Sequence, residues 1–279
     1  MVIPKQDSAP RPPLRDIIQV FNLKPDKSLG QHFLLDPHLL ASLTRHAEPL
    51  AGVNVIEIGP GPGGLTRALL DTQAAHVTAI EFDPRAVAAI TALASTAEHR
   101  LTILQADALK TDLTQLTPAP RAIVANLPYN IGTPLLISWL AQAAHFQSFT
   151  LMFQLEVAER ICAEPNTAPY GRISVLTQWL CQAAIVQHIP ASAFSPPPKV
   201  DSALIHIIPK PTQPTATEFK TMERLTAAAF GQRRKMLRGA LKPLGGETLL
   251  QAANLDPTRR AETLTVQEFE RLVQVLLSK

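Results

Sequence analysis

The chain has 279 residues, of which 46% are hydrophobic, and a formal net charge of +3, which suits one large α/β domain or one domain with a small partner. No apolar run approaches the roughly 20 residues of a membrane span, and the N-terminus lacks a signal peptide's apolar segment, so we expect a soluble, cytoplasmic protein without a membrane partner. Cys162 and Cys181 lie in apolar patterns and the eight histidines are scattered, which argues against a disulfide and against a metal site.

The first 24 residues contain four prolines and little hydrophobic periodicity, so we predict a mobile or loosely docked extension over residues 1–24. A loop follows over residues 27–35. Asp36 and Pro37 then supply an N-cap and a first helical residue for a helix that reaches Ala47.

Residues 53–66 carry the most informative local pattern. The apolar run 53–58 predicts a strand, residues 59–64 include four glycines, and apolar residues then repeat at helical spacing from Leu65. Strand, tight turn and helix in this order form the opening unit of a nucleotide-binding α/β sheet.

Further strands alternate with helical patterns downstream. We predict strands at 76–81, 101–105, 121–125, 149–154, 184–189 and 200–208, and helices from Pro84, at 156–162 and at 172–181. This alternation predicts an α/β fold, with a mostly parallel sheet covered by helices on both faces. Ligands of such sheets bind at the carboxyl ends of the strands, where Gly59, Glu81, Asp107 and Asn126 are expected.

The segment 209–214 contains three prolines and is the best domain boundary. Beyond it, Thr217 is predicted to cap a helix, and residues 265–268 form a capping box before a last helix. We therefore predict domains at residues 1–24, 25–210 and 211–279. The last of these carries 11 Lys and Arg against 7 Asp and Glu, whereas residues 1–210 carry 15 against 16, which indicates a polyanionic partner.

The strand ends indicate a nucleotide-like ligand and an amine. Glu81 lies 22 residues after Gly59. This interval is typical of a carboxylate that accepts hydrogen bonds from both hydroxyls of a ribose. A dehydrogenase cofactor is one candidate, but prolines 60 and 62 interrupt the glycine spacing that a pyrophosphate needs. The tetrapeptide 126–129 can direct an amide oxygen and a backbone carbonyl at one amino group, beside the aromatic face of Tyr129.

Five motifs and two single residues of the chain match a known family. They are residues 30–34, 57–61, 126–130, 194–202 and 230–238, with Glu81 and Asp107. With them the chain resembles the ribosomal RNA adenine dimethyltransferases from Leu29 onward, although that family usually has Asn where His32 stands and often Phe where Leu29 stands. The resemblance implies a seven-stranded Rossmann-like S-adenosylmethionine methyltransferase sheet whose last strand, 200–208, is antiparallel, and a small C-terminal helical RNA-binding domain.

The resemblance also implies roles for single residues. His32 and Leu34 would line the methionine side of S-adenosylmethionine, Gly59 its amino-acid and sulfonium region, Glu81 its ribose, Asp107 its adenine amino group, and Asn126 the methyl-transfer site. Gly61 and Asn126 are also expected to contact the cofactor. The implied substrate is 16S rRNA in the small ribosomal subunit or its precursor, which a monomer would dimethylate at N6 of two adjacent adenosines near the 3′ end.

For the reaction we expect in-line attack of adenine N6 on the sulfonium methyl group, without a general base. Asn126 and the backbone carbonyl of Leu127 or Pro128 would orient N6 and draw it toward tetrahedral geometry. Tyr129 and Phe194 would stack on the target adenine and stabilise the developing cation.

The densest basic run contains Arg233, Arg234, Lys235 and Arg238. If residues 231–232 open a helix, three of these cations lie in its first turn, where the helix dipole disfavours them and a phosphate would compensate. We therefore expect the C-terminal helical domain to dock on ribosomal RNA.

Other activities stay open at this point. The same chemistry could methylate adenine in DNA, glutamine in a protein or adenine in 23S rRNA. Enzymes of the first two kinds, however, usually have a second proline where this chain has Leu127. A ribosome-assembly or transcription factor could keep the fold for RNA binding alone, and a nicotinamide dehydrogenase is a more distant alternative.

Overall fold

The computed structural model describes residues 11–23, 32–94, 97 and 99–278. Its helices are α1 (Leu14–Val20), α2 (Pro37–Ala47), α3 (Gly64–Leu70), α4 (Pro84–Ala94), α5 (Gly132–Leu140), α6 (Leu155–Cys162), α7 (Arg172–Leu180), α8 (Ala216–Phe230), α9 (Leu237–Ala240), α10 (Gly246–Ala252) and α11 (Val266–Leu277). Its strands are β1 (Phe33–Leu34), β2 (Asn54–Ile58), β3 (His76–Glu81), β4 (Leu101–Gln105), β5 (Arg121–Asn126), β6 (Ser148–Gln154), β7 (Cys181–Ile189), β8 (Phe194–Ser195) and β9 (Ser202–Pro209). The loop and motif predictions for residues 27–31, Leu29 included, lie outside the described residues.

Within the described residues, seven strands form one sheet in the order β4-β3-β2-β5-β6-β9-β7. The pairs from β4 to β6 are parallel, and β9 is antiparallel to both β6 and β7. β7 reaches β9 through residues 190–201 without a crossover helix, a connection that suits antiparallel pairing. The predicted fold class and the antiparallel last strand are confirmed.

Successive residues of the central strands alternate between two separate cores. Val55 and Val124 pack on the side of α2 and α3, whereas Ile56 and Ile123 pack on the side of α5 and α7. All four are at most 1% exposed. Because both faces are covered, these strands are continuous apolar runs in the sequence.

α8 begins two residues earlier than predicted. The hydroxyl of Thr215 accepts a hydrogen bond from the Glu218 N–H, and the Glu218 carboxylate accepts one from the Thr215 N–H. This reciprocal capping box satisfies two helix-terminal donors, so Thr215 is the N-cap and the prediction of Thr217 is wrong. The second predicted box, at Thr265 and Glu268, is confirmed.

The N-terminal segment contains a helix that the sequence analysis did not predict. Residues 11–23 belong to the predicted mobile or loosely docked extension, and within them α1 docks Ile17, which is 7% exposed, in one cluster with Phe33, Ala86 and Ala89. The apolar residues Leu14, Ile17, Ile18 and Phe21 repeat at helical spacing, a periodicity that the surrounding prolines obscure. Residues 1–10 lie outside the described residues.

Helices α8 to α11 share one hydrophobic cluster with the α5–α7 side of the sheet. Met222 and Leu225 of α8 are fully buried in the same cluster as Val175 of α7. Arg172 of α7 also pairs with Glu223 of α8 at 2.7 Å. The C-terminal helices therefore pack on the sheet, and a domain division at residues 209–214 stays a prediction.

None of the helices in the described part of the chain combines the length and the apolar character that a bilayer crossing requires.

Candidate active site

A cavity of about 290 Å³ opens at the carboxyl ends of β2, β3, β4 and β5. The chain places β3 and β4 on one side of β2 and places β5 and β6 on the other. This reversal of strand order is the usual ligand position in a doubly wound sheet. The predicted residues that line the cavity are His32, Leu34, Gly59, Gly61, Glu81, Asp107, Asn126, Leu127, Pro128 and Tyr129.

The glycine turn forms the floor of this cavity. Gly59 and Gly61 have φ values of +67° and +54°, a region that side chains with a Cβ rarely adopt. A Cβ on Gly61 would also lie 3.1 Å from Cε1 of Phe33. The turn therefore needs glycine at 61 for its backbone conformation and for close contact with β1.

Glu81 is fixed at the end of β3 by backbone donors. Its Oε1 accepts hydrogen bonds from the N–H groups of Phe82 and Asp83 at 2.7 and 2.9 Å, and its Oε2 accepts one from Gly61 at 3.2 Å. Burial raises the pKa of Glu81 although these donors favour the charged form. Oε1 thus accepts two bonds and Oε2 one, so Oε2 can still accept a hydrogen bond from a ribose hydroxyl.

Glu57 is an acidic residue that the sequence analysis did not single out. It is 1% exposed, lines the cavity, and neither of its carboxylate oxygens has a hydrogen-bond partner in the described structure. Burial and repulsion from Glu81 raise its pKa to about 8. Thr66 is a nearby donor and lowers this pKa in part, but it does not reach hydrogen-bond geometry with the carboxylate. A glutamate between isoleucines in a buried strand is the sequence signal that could have identified it.

Asp107 lies at the edge of the cavity after β4. Its Oδ1 accepts a hydrogen bond from the Leu109 N–H at 3.0 Å, and its Oδ2 lies 3.6 Å from Lys110 Nζ. The side chains of Phe82 and Leu109 line the same region and are 65% and 45% exposed. A planar base could contact these apolar groups while its amino group meets Asp107.

Asn126 and Tyr129 are each oriented by one hydrogen bond. Asn126 Nδ2 donates to the backbone carbonyl of His32 at 3.3 Å, which leaves Oδ1 as an acceptor for an amine. The Tyr129 hydroxyl lies 2.7 Å from Ser202 Oγ, and burial raises the pKa of Tyr129.

The His32 ring lies between Tyr129 and Phe194. It stacks on Tyr129 at a centroid distance of 5.5 Å and meets Phe194 edge-on at 6.4 Å. Its Nδ1 lies 2.8 Å from the Pro196 carbonyl and so donates to it. The ring therefore contacts the residues predicted to bind the target adenine, whereas the resemblance assigned His32 to the methionine side.

Phe194 is 4% exposed and packs in the core cluster on the α2–α3 side. β8 holds it against β1, where Phe194 pairs with Leu34. Its ring is enclosed by the fold in this arrangement, and its stacking on adenine stays a prediction.

The basic run does not open a helix, so that premise is wrong. Gly231 ends α8, its N–H bonds to the Ala227 carbonyl, and residues 231–235 form turns before α9. Cations are favourable at this end of a helix. Arg233 donates to the carbonyls of Ala168 and Tyr170, both at 2.8 Å.

The remaining cations of the run are exposed, and Arg238 acts electrostatically on Asp256. The side chains of Arg234 and Lys235 make no hydrogen bond or ion pair within the described part of the chain.

A family model described as ribosomal RNA adenine dimethylase matches residues 22–277. Ribosomal RNA small subunit methyltransferase A of Gluconobacter oxydans (strain 621H) is 56% identical over 267 residues, which cover 96% of this chain and 88% of the relative. The protein of the same name from Agrobacterium fabrum (strain C58 / ATCC 33970) is 51% identical over 270 residues, which cover 95% and 98%.

Two solved structures are similar over most of the chain. A dimethyladenosine transferase from Plasmodium falciparum has a TM-score of 0.72 at 26% identity and covers 86% of this chain and 96% of its own. The 23S rRNA methyltransferase ErmE has a TM-score of 0.65 at 27% identity and covers 88% and 99%.

Proposed function

The chain belongs to the ribosomal RNA adenine dimethylase family, and we propose that it dimethylates N6 of two adjacent adenosines near the 3′ end of 16S rRNA during small-subunit biogenesis. It is an S-adenosylmethionine-dependent rRNA methyltransferase. The choice of small-subunit RNA depends on the near full-length similarity, at 56% and 51% identity, to relatives named for that subunit. Because these relatives are named as methyltransferases of the small subunit, the similarity does not favour a 23S rRNA substrate or a non-catalytic role in ribosome assembly.

The chemistry of the cavity fits the cofactor. S-adenosylmethionine supplies an electrophilic methyl group on a sulfonium when it is bound. We propose that Glu57, whose buried carboxylate lacks a partner, faces the cationic methionine end, because an opposite charge stabilises a buried carboxylate. Glu81 Oε2 would then accept a hydrogen bond from a ribose hydroxyl, and Asp107 would accept one from the adenine amino group.

Asn126 and Leu127 would position the methyl acceptor. Asn126 Nδ2 is held by the His32 carbonyl, and Oδ1 accepts no hydrogen bond from the described residues. The carbonyl of Pro128 already accepts the N–H groups of Ile131 and Gly132 at 3.2 and 3.1 Å, so we propose the Leu127 carbonyl as the second acceptor. Two acceptors on N6 orient its lone pair toward the methyl group, which is catalysis by position and electrostatics.

Transfer of labelled methyl groups to unmodified small subunits tests this function. The wild-type protein should methylate small subunits and leave large subunits and duplex DNA unlabelled, and mass spectrometry of the 16S rRNA should show dimethyladenosine near the 3′ end. Labelling of large subunits alone would contradict the proposal.

Asn126→Ala tests the assigned site within the same assay. Loss of one oriented acceptor should lower kcat about 10²–10³-fold, while the dissociation constant of S-adenosylmethionine, measured by calorimetry, stays within about twofold. Methylation at the wild-type rate would show that Asn126 does not position the acceptor.

A further inference from the structure

A second cavity lies beside the active site on the α2–α3 face of the sheet. It has a volume of about 1060 Å³ and is bounded by residues 11–15, by α2, by α3 and by residues 192–195. Leu40 and Gly64 line both this groove and the cofactor cavity. Ser195 lies on its rim, next to Pro196, which anchors the His32 ring. The groove therefore runs directly outside the acceptor side of the active site.

Four arginines line the groove: Arg11, Arg15, Arg45 and Arg67. The side chains of Arg15 and Arg45 are exposed and make no hydrogen bond or ion pair within the described residues. Arg67 has a buried Nε without a partner, and its pKa is lowered by burial and by the neighbouring Arg11. Arg67 also donates to the Pro12 carbonyl, and Arg11 donates to the Arg67 carbonyl. The guanidinium groups of Arg11 and Arg67 thus lie close together, and within the described residues the side chains of the other two arginines have no partner.

The three carboxylates of the groove already have partners. Asp36 accepts the N–H groups of His38 and Leu39 as the cap of α2, and Glu48 accepts the Leu50 N–H at 2.6 Å. Asp71 pairs with Arg11 at 3.0 Å. The groove therefore carries four arginines against three carboxylates, and among its described residues only Asp71 is ion-paired with one of these arginines.

We propose that this groove binds the phosphate backbone of the RNA strand that flanks the target adenosine. The inference deepens the proposed function and rests on it for the identity of the RNA. Arginine pairs well with phosphate oxygens, and a cationic groove that follows the backbone is how proteins hold single-stranded RNA. The shared rim at Ser195 lets one strand place its base at Asn126 and its phosphates in the groove.

The test is the double variant Arg15→Ala/Arg45→Ala in the full-length protein. Its binding to a fluorescent single-stranded RNA fragment should weaken roughly tenfold at moderate salt, and the slope of log affinity against log salt should fall by about 1, as expected for losing one to two phosphate contacts. The KM for unmodified small subunits should rise in parallel, while kcat and the affinity for S-adenosylmethionine stay unchanged.

The matched control is Arg160→Ala/Arg271→Ala. It removes the same charge from two exposed arginines on α6 and α11, which pack on the other side of the sheet. The melting temperatures of both double variants should stay near that of the wild type.

Equal affinity and equal salt slopes for the two double variants would overturn the proposal. Weaker binding to subunits with unchanged binding to the RNA fragment would also overturn it, because the groove would then contact a ribosomal protein. The RNA-fragment measurement needs no methyl transfer, so a failure of the proposed activity is distinguishable from a failure of the groove.

Discussion

At the scale of single residues, the two buried glutamates of the cavity are satisfied in different ways. Three backbone N–H groups donate to Glu81, whereas Glu57 has no hydrogen-bond partner in the described structure. The position of Glu81 at the end of a strand made it predictable. The state of Glu57 was not, because it depends on which groups of other segments fail to approach its carboxylate.

The pKa of Glu57 predicts an unusual pH dependence. The folded protein without cofactor keeps a proton on this carboxyl up to about pH 8, whereas the unfolded chain loses it near 4.5. The free energy of unfolding should therefore fall as pH rises through this window. Glu57→Gln removes this contribution, so at about pH 8 the variant should be more stable than the wild type by up to about 5 kcal/mol, at roughly 1.4 kcal/mol for each pKa unit, as measured by thermal melts.

The same variant should bind S-adenosylmethionine more weakly, and the wild-type affinity should rise with pH toward 8, because a cation requires the ionised carboxylate. Melting profiles of the two proteins that stay parallel from about pH 5 to pH 8 would contradict this assignment.

His32 offers a second prediction at this scale. Because its ring packs between Tyr129 and Phe194 and bonds to the Pro196 carbonyl, His32→Ala should raise the KM for small subunits several-fold. The dissociation constant of S-adenosylmethionine should change less than about twofold. His32→Asn, the usual residue of the family, is the matched comparison. A loss of cofactor affinity with an unchanged KM for RNA would instead support the methionine-side role.

At the scale of elements, the glycine turn and the capped helices follow from local patterns. Asp36, Asp83 and Thr265 begin α2, α4 and α11 as predicted, because N-caps act within one turn. The predicted start of α8 was wrong because Thr215 and Thr217 are both candidate N-caps, and only Thr215 completes a capping box with Glu218. α1 was missed because its short apolar face becomes stable only against α4 and β1.

Gly61→Ala should destabilise the turn and weaken the cofactor site. The change combines a φ of +54° with a contact of 3.1 Å to Phe33, and we expect a loss of about 1–3 kcal/mol and weaker binding of S-adenosylmethionine. Gly52→Ala is the control, since Gly52 has a φ of +74° but no atom within 4 Å of a Cβ. Gly52→Ala should bind S-adenosylmethionine with wild-type affinity, as measured by calorimetry. If both changes lowered the stability and the cofactor affinity equally, backbone strain alone would explain the effect and the contact with Phe33 would not matter.

At the scale of the whole molecule, the C-terminal helices are joined to the sheet through a common core and through Arg233. This arginine bonds to two carbonyls of the loop before α7. Arg234 and Lys235 are exposed beside it. Within one basic run the structure thus distinguishes a cation that holds the fold together from two that are free for a polyanion.

Substitutions of Arg233 and of the pair Arg234 and Lys235 should have different effects on stability and on RNA binding. Arg234→Ala/Lys235→Ala should weaken RNA binding and reduce its salt dependence while the melting temperature stays unchanged. Arg233→Ala should lower the stability by about 1 kcal/mol, because two carbonyls lose their donor. An unchanged affinity for RNA in the double variant would remove the predicted docking role of this run.

The sequence by itself determined the fold class and, with the family resemblance, most of the polar residues that line the cavity, although it gave no role to Glu57. Periodicity, glycine turns and N-caps are local signals, and parallel strands bring their carboxyl ends to one edge without further information. Only the tertiary structure decided the protonation of Glu57, the partners of the His32 ring and the arginine groove beside the active site. It also decided that Arg233 bonds to the fold while Arg234 and Lys235 are exposed. Each depends on distant segments that meet after folding, as Pro196 meets His32 and Ala168 meets Arg233, and such contacts leave no periodic pattern along the chain.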